Sequence, residues 1–340
     1  MKKIDRQELL KQLESVLSGL SAREIIEQSS CFVFKDEKVM TFNDEVSCSQ
    51  KCILDITGAV PAMPFVNILR KLEEPELKME VNHNKLMIRG RNRRASINLE
   101  NDILLPIDNV EEPKKWKGLP DNFINAIEFV ESCASTNETN FTLCCVHIHP
   151  DYMETCDNIQ AARYYVETKI KKSTLVRRDS LNHITNLDMV SYSETDSWIH
   201  FKNQSGLVLS CRRFFEKSPK LDDILKITKG IKVKLPKGLK EVIDKAEVFS
   251  SENVDENKLR ITLSSGKFRV EGKGLSGRYI ETKKSKYEGK TIIFEIAASL
   301  LAQIVDRYTA CRVTRGRLGV EGKNFKYITS TTVIKEKKKK

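Results

Sequence analysis

The chain has no run of about 18 apolar residues, the length needed to cross a bilayer as a helix. It opens Met1-Lys2-Lys3-Ile4-Asp5-Arg6 and passes directly into an amphipathic pattern. Neither a secretory leader nor a membrane span is therefore expected, and the expected compartment is the cytoplasm. A disulfide framework is missing too: nine cysteines, an odd number, are scattered along the length, as suits a reducing compartment. There is no Walker loop, GxSxG elbow, HExxH pair or kinase motif set, so phosphoryl transfer, serine hydrolysis and zinc proteolysis lack their machinery. Nor is there a helix-turn-helix, zinc-finger or RNP-like aromatic signature, the devices by which most sequence-specific readers reach bases.

Two near-matches to enzyme motifs fail on context. Gly272-Lys273-Gly274-Leu275-Ser276-Gly277 fits GxGxxG, but the dinucleotide version must open a helix whose N-terminus receives the pyrophosphate. Here the β-branched and aromatic stretch Arg278-Tyr279-Ile280-Glu281-Thr282 follows, which predicts a glycine-rich connection between strands. On a strand, Cys145, His147 and His149 would share one face, with Cys156 approaching from a neighbour. Same-face neighbours on one strand rarely converge on a tetrahedral ion, and no CxxC knuckle accompanies them. No metal, no cofactor and no catalytic residue is expected; the chain reads as a non-enzyme.

What the sequence does hold is positive charge and repetition. Its formal net charge is +11, part of it in the terminal Lys335-Glu336-Lys337-Lys338-Lys339-Lys340 and the rest dispersed. A dispersed positive excess points to a polyanion partner. Its 340 residues are ample for two or three domains. Amphipathic helix patterns begin at Asp5, Asn122 and Gly238, 117 and 116 positions apart, running to Leu20, Cys133 and Phe249. A second helical stretch lies about halfway through each unit, at Met63–Leu72, Asp179–Leu187 and Ala297–Tyr308, and short strands with turn signals follow each. The repeat predicts an α+β chain of three copies of one unit, at 1–112, 113–232 and 233–340.

Within this frame, Val60-Pro61-Ala62-Met63-Pro64-Phe65 resembles the VPAxxF segment of the bacterial DNA polymerase III beta subunit, the DNA sliding clamp. Ile88-Arg89-Gly90-Arg91-Asn92-Arg93-Arg94-Ala95-Ser96-Ile97 resembles the family's basic strand pair. Leu105-Pro106 and Ser218-Pro219 look like the pairs that close its first two domains. Thr155-Cys156-Asp157-Asn158-Ile159-Gln160-Ala161-Ala162 is a weaker counterpart of its ATDGHRLA stretch. The resemblance spans essentially the whole chain in the same order. It implies three clamp domains per subunit, with helices lining a central hole and antiparallel sheets outside, and two subunits joined head to tail as a homodimer. The implied role is to encircle double-stranded DNA without sequence preference and to hold a polymerase and clamp loader through short linear motifs.

The resemblance also nominates residues. Lys11, Arg70, Lys71, Lys240, Lys245 and Arg307 on the helices, with Arg23 just beyond the first, are candidates to face DNA phosphates. Arg177 and Arg178 match a basic pair of the second domain. A hydrophobic peptide pocket would draw Leu143, Cys156, Asn158, Ile159 and Ala161 from the second domain and Pro236 from the linker. Leu301, Leu318, Ile328, Thr332 and Ile334 would complete it from the third. Arg91, Arg93 and Arg94 would face Val248 and Phe249 across the subunit contact, where Lys283, Lys284 and Lys286 replace the family's acidic patch. The His-Arg-Leu of the family's pocket is here Ile159-Gln160-Ala161, so the motif recognised is expected to differ. Two other readings of the same charge stay open: a clamp-like factor of a phage serving transcription or repair, and a basic DNA-binding regulator that forms no ring.

Overall fold

Apolar residues at helical spacing, each group followed by short alternating segments, fold as helices and antiparallel strands in the computed structural model, which describes residues 2–227, 230–252 and 257–334. The basic tail therefore lies outside the described residues. The helices are α1 (Arg6–Ser15), α2 (Ala62–Lys71), α3 (Phe123–Val130), α4 (Arg178–Asn182), α5 (Leu239–Ser250) and α6 (Ala298–Arg307). They pack in sequence order, α1 on α2, α3 on α4 and α5 on α6, in the rhythm the repeat predicts.

Three helices are shorter than their periodicity; α3 stops at Val130, and a 3-10 turn takes Glu131–Cys133. α1 starts where the Asp5 carboxylate caps the Glu8 amide at 2.8 Å. It ends at Ser15, before the expected Leu20, because the Thr41 hydroxyl donates to the Val16 carbonyl at 2.6 Å. Gly19 then lies against Thr41, with a Cβ at that position only 2.3 Å from the hydroxyl oxygen. α4 covers only Arg178–Asn182 before a 3-10 turn at His183–Asn186, where β-branched and Asn residues favour helix weakly.

The chain packs as two compact units. The first is built from residues up to 131 with 139–153 and 166–218; the second takes 132–138, 154–165 and the described residues after 218. In the first, an eight-stranded antiparallel sheet runs in the order Gly58–Pro61, Cys31–Lys35, Lys38–Phe42, Val46–Lys51, Val208–Arg212, Trp198–Asn203, Met189–Glu194, Lys117–Gly118. Its halves meet where Val46–Lys51 pairs Val208–Arg212, with Ser49 opposite Val208. Phe42 and Trp198 pack there at 6.0 Å between ring centroids, beside Val33 and Leu105. A four-stranded sheet, Lys2–Asp5, Glu76–Asn82, Lys85–Arg89 and Arg94–Asn98, leaves the last strand as an edge.

The second unit repeats that seam. Gln160–Tyr165 pairs Phe325–Ser330, and Arg317–Glu321, Ala310–Thr314 and Ile231–Lys234 continue outward. A further sheet runs Arg278–Lys284, Lys267–Lys273, Lys258–Ser264, Ile292–Ala297, Thr332–Val333. α5 lies on it so closely that a Cβ at Gly272 would stand 1.8 Å from the Ala246 carbonyl oxygen. The hexapeptide from Gly272 to Gly277 thus ends one strand and turns into the next, with its glycine required by helix packing.

All nine cysteines are buried, and burial pushes the Cys48 thiol up to about 12. Among the described residues no helix is long and apolar enough to cross a membrane.

Candidate binding cleft and basic helices

A cleft of about 240 Å³ opens on the second unit. One wall starts at Asp157, whose Oδ1 accepts from the Ile159 and Gln160 amides at 2.7 Å each. This turn folds the chain back into the strand Gln160–Tyr165 and leaves Ile159 outside, 48% exposed. The Ser330 amide donates to the Ile159 carbonyl at 2.8 Å, tying the turn to the neighbouring strand. Gln160 turns inward instead. Its amide nitrogen donates to the Ser132 carbonyl at 3.1 Å, and its oxygen accepts from the Tyr327 hydroxyl at 3.0 Å.

The opposite wall is the segment from Pro219 to Ile224, anchored by buried Leu221 and Leu225. Two arginines hold it. Arg163, buried on its strand, donates from Nε to Glu154 at 2.7 Å and from Nη1 to Asp222 at 2.8 Å. Burial works to lower the Arg163 pKa, but the hydrogen bond to Asp222 and the charge of buried Glu154 outweigh it and raise the pKa. The same guanidinium holds the Asp222 carboxyl below the usual carboxylate range. Arg317, exposed, donates to the Ile224 carbonyl at 3.4 Å.

The lining brings together Cys156, Asn158, Ile159, Ala161 and Ile328, as expected from the sequence, and adds Pro219, Leu221, Ile224 and Arg317. The remaining expected residues lie outside that lining. Leu301 and Leu318 are core residues, 0% and 1% exposed. Leu143 sits in a 3-10 turn of the first unit, and Pro236 follows the strand Ile231–Lys234. Thr332 pairs Glu295, and Ile334 donates its amide to the Ile293 carbonyl at 3.4 Å. One available signal pointed to the second wall: after Ser218-Pro219, the apolar positions Leu221, Ile224 and Leu225 fall at one-turn helical spacing, the pattern of a segment that docks one face.

The nominated cations divide into paired and unpaired groups. Arg70 on α2 meets Glu14 on α1 at 2.8 Å, and Lys240 on α5 meets Asp306 on α6 at 3.1 Å. Lys245 meets Glu281 at 3.5 Å, and Arg178 meets its neighbour Asp179 at 2.6 Å. Arg177 is mostly buried, 3.4 Å from Glu45 with its guanidinium 5.8 Å from the Phe141 ring centre. Lys11, Arg23, Lys71 and Arg307 are exposed and enter no ion pair among the described residues. Such groups are open to an outside anion.

At the candidate subunit contact, Arg91, Arg93 and Arg94 are exposed at the edge of the four-stranded sheet, and Arg93 lies 3.7 Å from Glu74. Val248 on α5 is exposed and Phe249 half-buried. The His147 and His149 rings are 6.2 Å apart and edge-on; His149 stacks on Tyr152, and Ser218 reaches His147 Nδ1 at 3.3 Å. Among the described residues no group of three or more His, Cys, Asp or Glu is placed to hold a metal ion.

The fold is that of the DNA sliding clamps, in the form of the DNA polymerase III beta subunit. The chain superposes on the DnaN sliding clamp of Pseudomonas aeruginosa bound to griselimycin with a TM-score of 0.82, covering 98% of this chain and 99% of that one at 13% identity. The beta sliding clamp of C. crescentus gives 0.84 and the DNA polymerase III beta subunit of Thermotoga maritima 0.80, each at 13% identity and the same coverage. No family model matches the chain, and no curated protein matches it by sequence.

Proposed function

We propose that the chain is a DNA sliding clamp, a non-catalytic processivity factor. In this reading two copies join head to tail into a ring around duplex DNA. Each contributes three clamp domains, at 1–112, 113–232 and 233–340. The cleft beside Ile159 tethers the replicative polymerase, the clamp loader and other proteins by short linear motifs. The observation that carries the reading is the superposition on beta clamps over 98% of this chain and 99% of theirs. Exposed, unpaired cations such as Lys11, Lys71 and Arg307 support it, because sequence-independent phosphate contacts allow a protein to slide.

Topological retention is separable from ordinary phosphate binding. Protein loaded on a nicked circle should resist high salt and be released once the circle is cut. Phosphate binding alone weakens steeply with salt whatever the DNA ends. Charge reversal at Lys11 and Lys71 should slow loading, whereas Ile159→Ser should spare retention and abolish polymerase stimulation. Equal loss from circles and linear DNA as salt rises would make the chain a basic DNA-binding regulator instead.

A further inference from the structure

A second cleft, of about 390 Å³, opens elsewhere on the second unit, where α6 gives way to the strand Ala310–Thr314. Strand register builds its charged side. Lys232 stands opposite Arg312, and Arg312 opposite Gly319, so the three share one face of the sheet. Gly319 has no side chain, and Ile227 takes the space above it: a Cβ there would come within 1.8 Å of the Ile227 Cδ1. The row thus reads cation, cation, isoleucine, and all three line the cleft.

Like charges placed directly opposite one another repel. One rung of the same sheet sets Glu321 against Lys326, which meet at 3.6 Å and so occupy the one acid of the lining. Lys232 and Arg312 have no such relief. Neither enters an ion pair among the described residues, and Arg312 spends one N–H on the Gly230 carbonyl at 3.2 Å. Arg307, exposed at the end of α6, is a third cation of the lining without an ion pair among the described residues.

The lining also holds an aromatic pair. Tyr308 ends α6, its amide donating to the Ile304 carbonyl at 2.9 Å, and Phe325 opens the strand Phe325–Ser330. Their ring centres lie 5.4 Å apart with the planes tilted by 32°, and both residues are only half-buried. A guanidinium fork suits phosphate oxygens, and an open tyrosine or phenylalanine ring suits the face of a planar base. The volume falls in the range of roughly 300–1,000 Å³ typical of clefts that take small molecules.

We propose that this cleft binds a free nucleoside di- or triphosphate. Lys232 and Arg312 hold the phosphates, and Tyr308 and Phe325 receive the base. A nucleic-acid strand carries the same groups, but it spreads its charge one phosphate per nucleotide, whereas three cations gather here at a single cleft. The proposal does not depend on the clamp reading. Arg307 is also a candidate for duplex contact, so the test turns on Arg312 and Lys232 instead.

The test follows the anisotropy of N-methylanthraniloyl-ADP with the full-length protein, and its displacement by unlabelled competitors. Binding should be saturable, and ADP should displace the probe at about tenfold lower concentration than adenosine or pyrophosphate, because neither carries both groups. Arg312→Gln should weaken ADP about tenfold by removing charge-assisted hydrogen bonds. Lys232→Gln, at an exposed position, should weaken it about threefold and keeps the test open should Arg312→Gln unfold. Tyr308→Leu should weaken ADP about fivefold and leave pyrophosphate within about twofold. Thermal unfolding of each variant checks its fold. No saturable binding below about 1 mM, or affinity unchanged in both Arg312→Gln and Lys232→Gln, would overturn the proposal. Pyrophosphate competing as well as ADP would reduce the cleft to a bare anion site and overturn the nucleotide. Displacement by oligothymidylate or linear duplex at lower nucleotide concentration than by ADP would assign the cleft to a DNA strand and overturn the free ligand.

Discussion

His200 lies in the middle strand of three that run from Met189 to Arg212 and has no exposed surface. Its Nδ1 is 2.7 Å from the Ser210 hydroxyl and its Nε2 is 3.1 Å from that of Thr195. A neutral imidazole satisfies this arrangement with one donor and one acceptor; an imidazolium must donate twice and surrender its hydration. Burial accordingly pushes the His200 pKa down from 6.5 to about 4; Glu111 opposes the shift and Arg213 reinforces it. The folded value lies below the unfolded one, so the unfolded chain binds the extra proton. The stability contribution is complete above about pH 7 and is lost as pH falls from 6.5 towards 4. At about 1.4 kcal/mol per pH unit, a drop from pH 7.5 to 4.5 should cost roughly 2–3 kcal/mol through this residue alone. Urea unfolding followed by tryptophan fluorescence reads the first unit, since Trp116 and Trp198 both lie in it. His200→Gln should be less stable at pH 7.5 but should lose less on acidification. His183, also shifted down by burial, is common to both proteins and cancels. Equal acid losses in the native protein and the variant would refute the assignment.

Arg163 and Glu154 form a desolvated pair, so Arg163→Leu should destabilise the second unit by roughly 3–5 kcal/mol through the charge left unpaired on Glu154. The double change with Glu154→Leu should recover much of that in thermal unfolding; no recovery would mean that the arginine acts through its hold on Asp222. Gly272→Ala drives a methyl group into the Ala246 carbonyl and should cost roughly 1–3 kcal/mol, with faster amide exchange along α5. An unchanged exchange pattern would show that the helix has room to move.

The helix positions were legible in the sequence because amphipathic burial is local and periodic. Leu9 and Leu13, Phe65 and Leu69, and Val242 and Ile243 each fall on a buried face. The 117- and 116-residue spacing of the helix starts anticipated the recurrence of the same helix-pair arrangement, because a repeated unit solves the same packing problem each time. The early end of α1 was not legible, since the hydroxyl that stops it belongs to Thr41, on a strand.

The chemistry of the site divided along the same line. Ile159, Ala161 and Ile328 could be nominated from their places in a resemblance, and they do line one cleft. The second wall was signalled only by the spacing of Leu221, Ile224 and Leu225, and its charge contacts not at all. Arg163 meets Asp222 across 59 positions and Arg317 meets Ile224 across 93. Likewise Arg70 and Arg177 read as free cations, and only packing shows them spent on Glu14 and Glu45. A side chain's type and its place in a periodic pattern are written locally. Which opposite charge neutralises it depends on strand register and on how a loop is anchored, so tertiary structure alone decides which of the many cations remains available to a ligand.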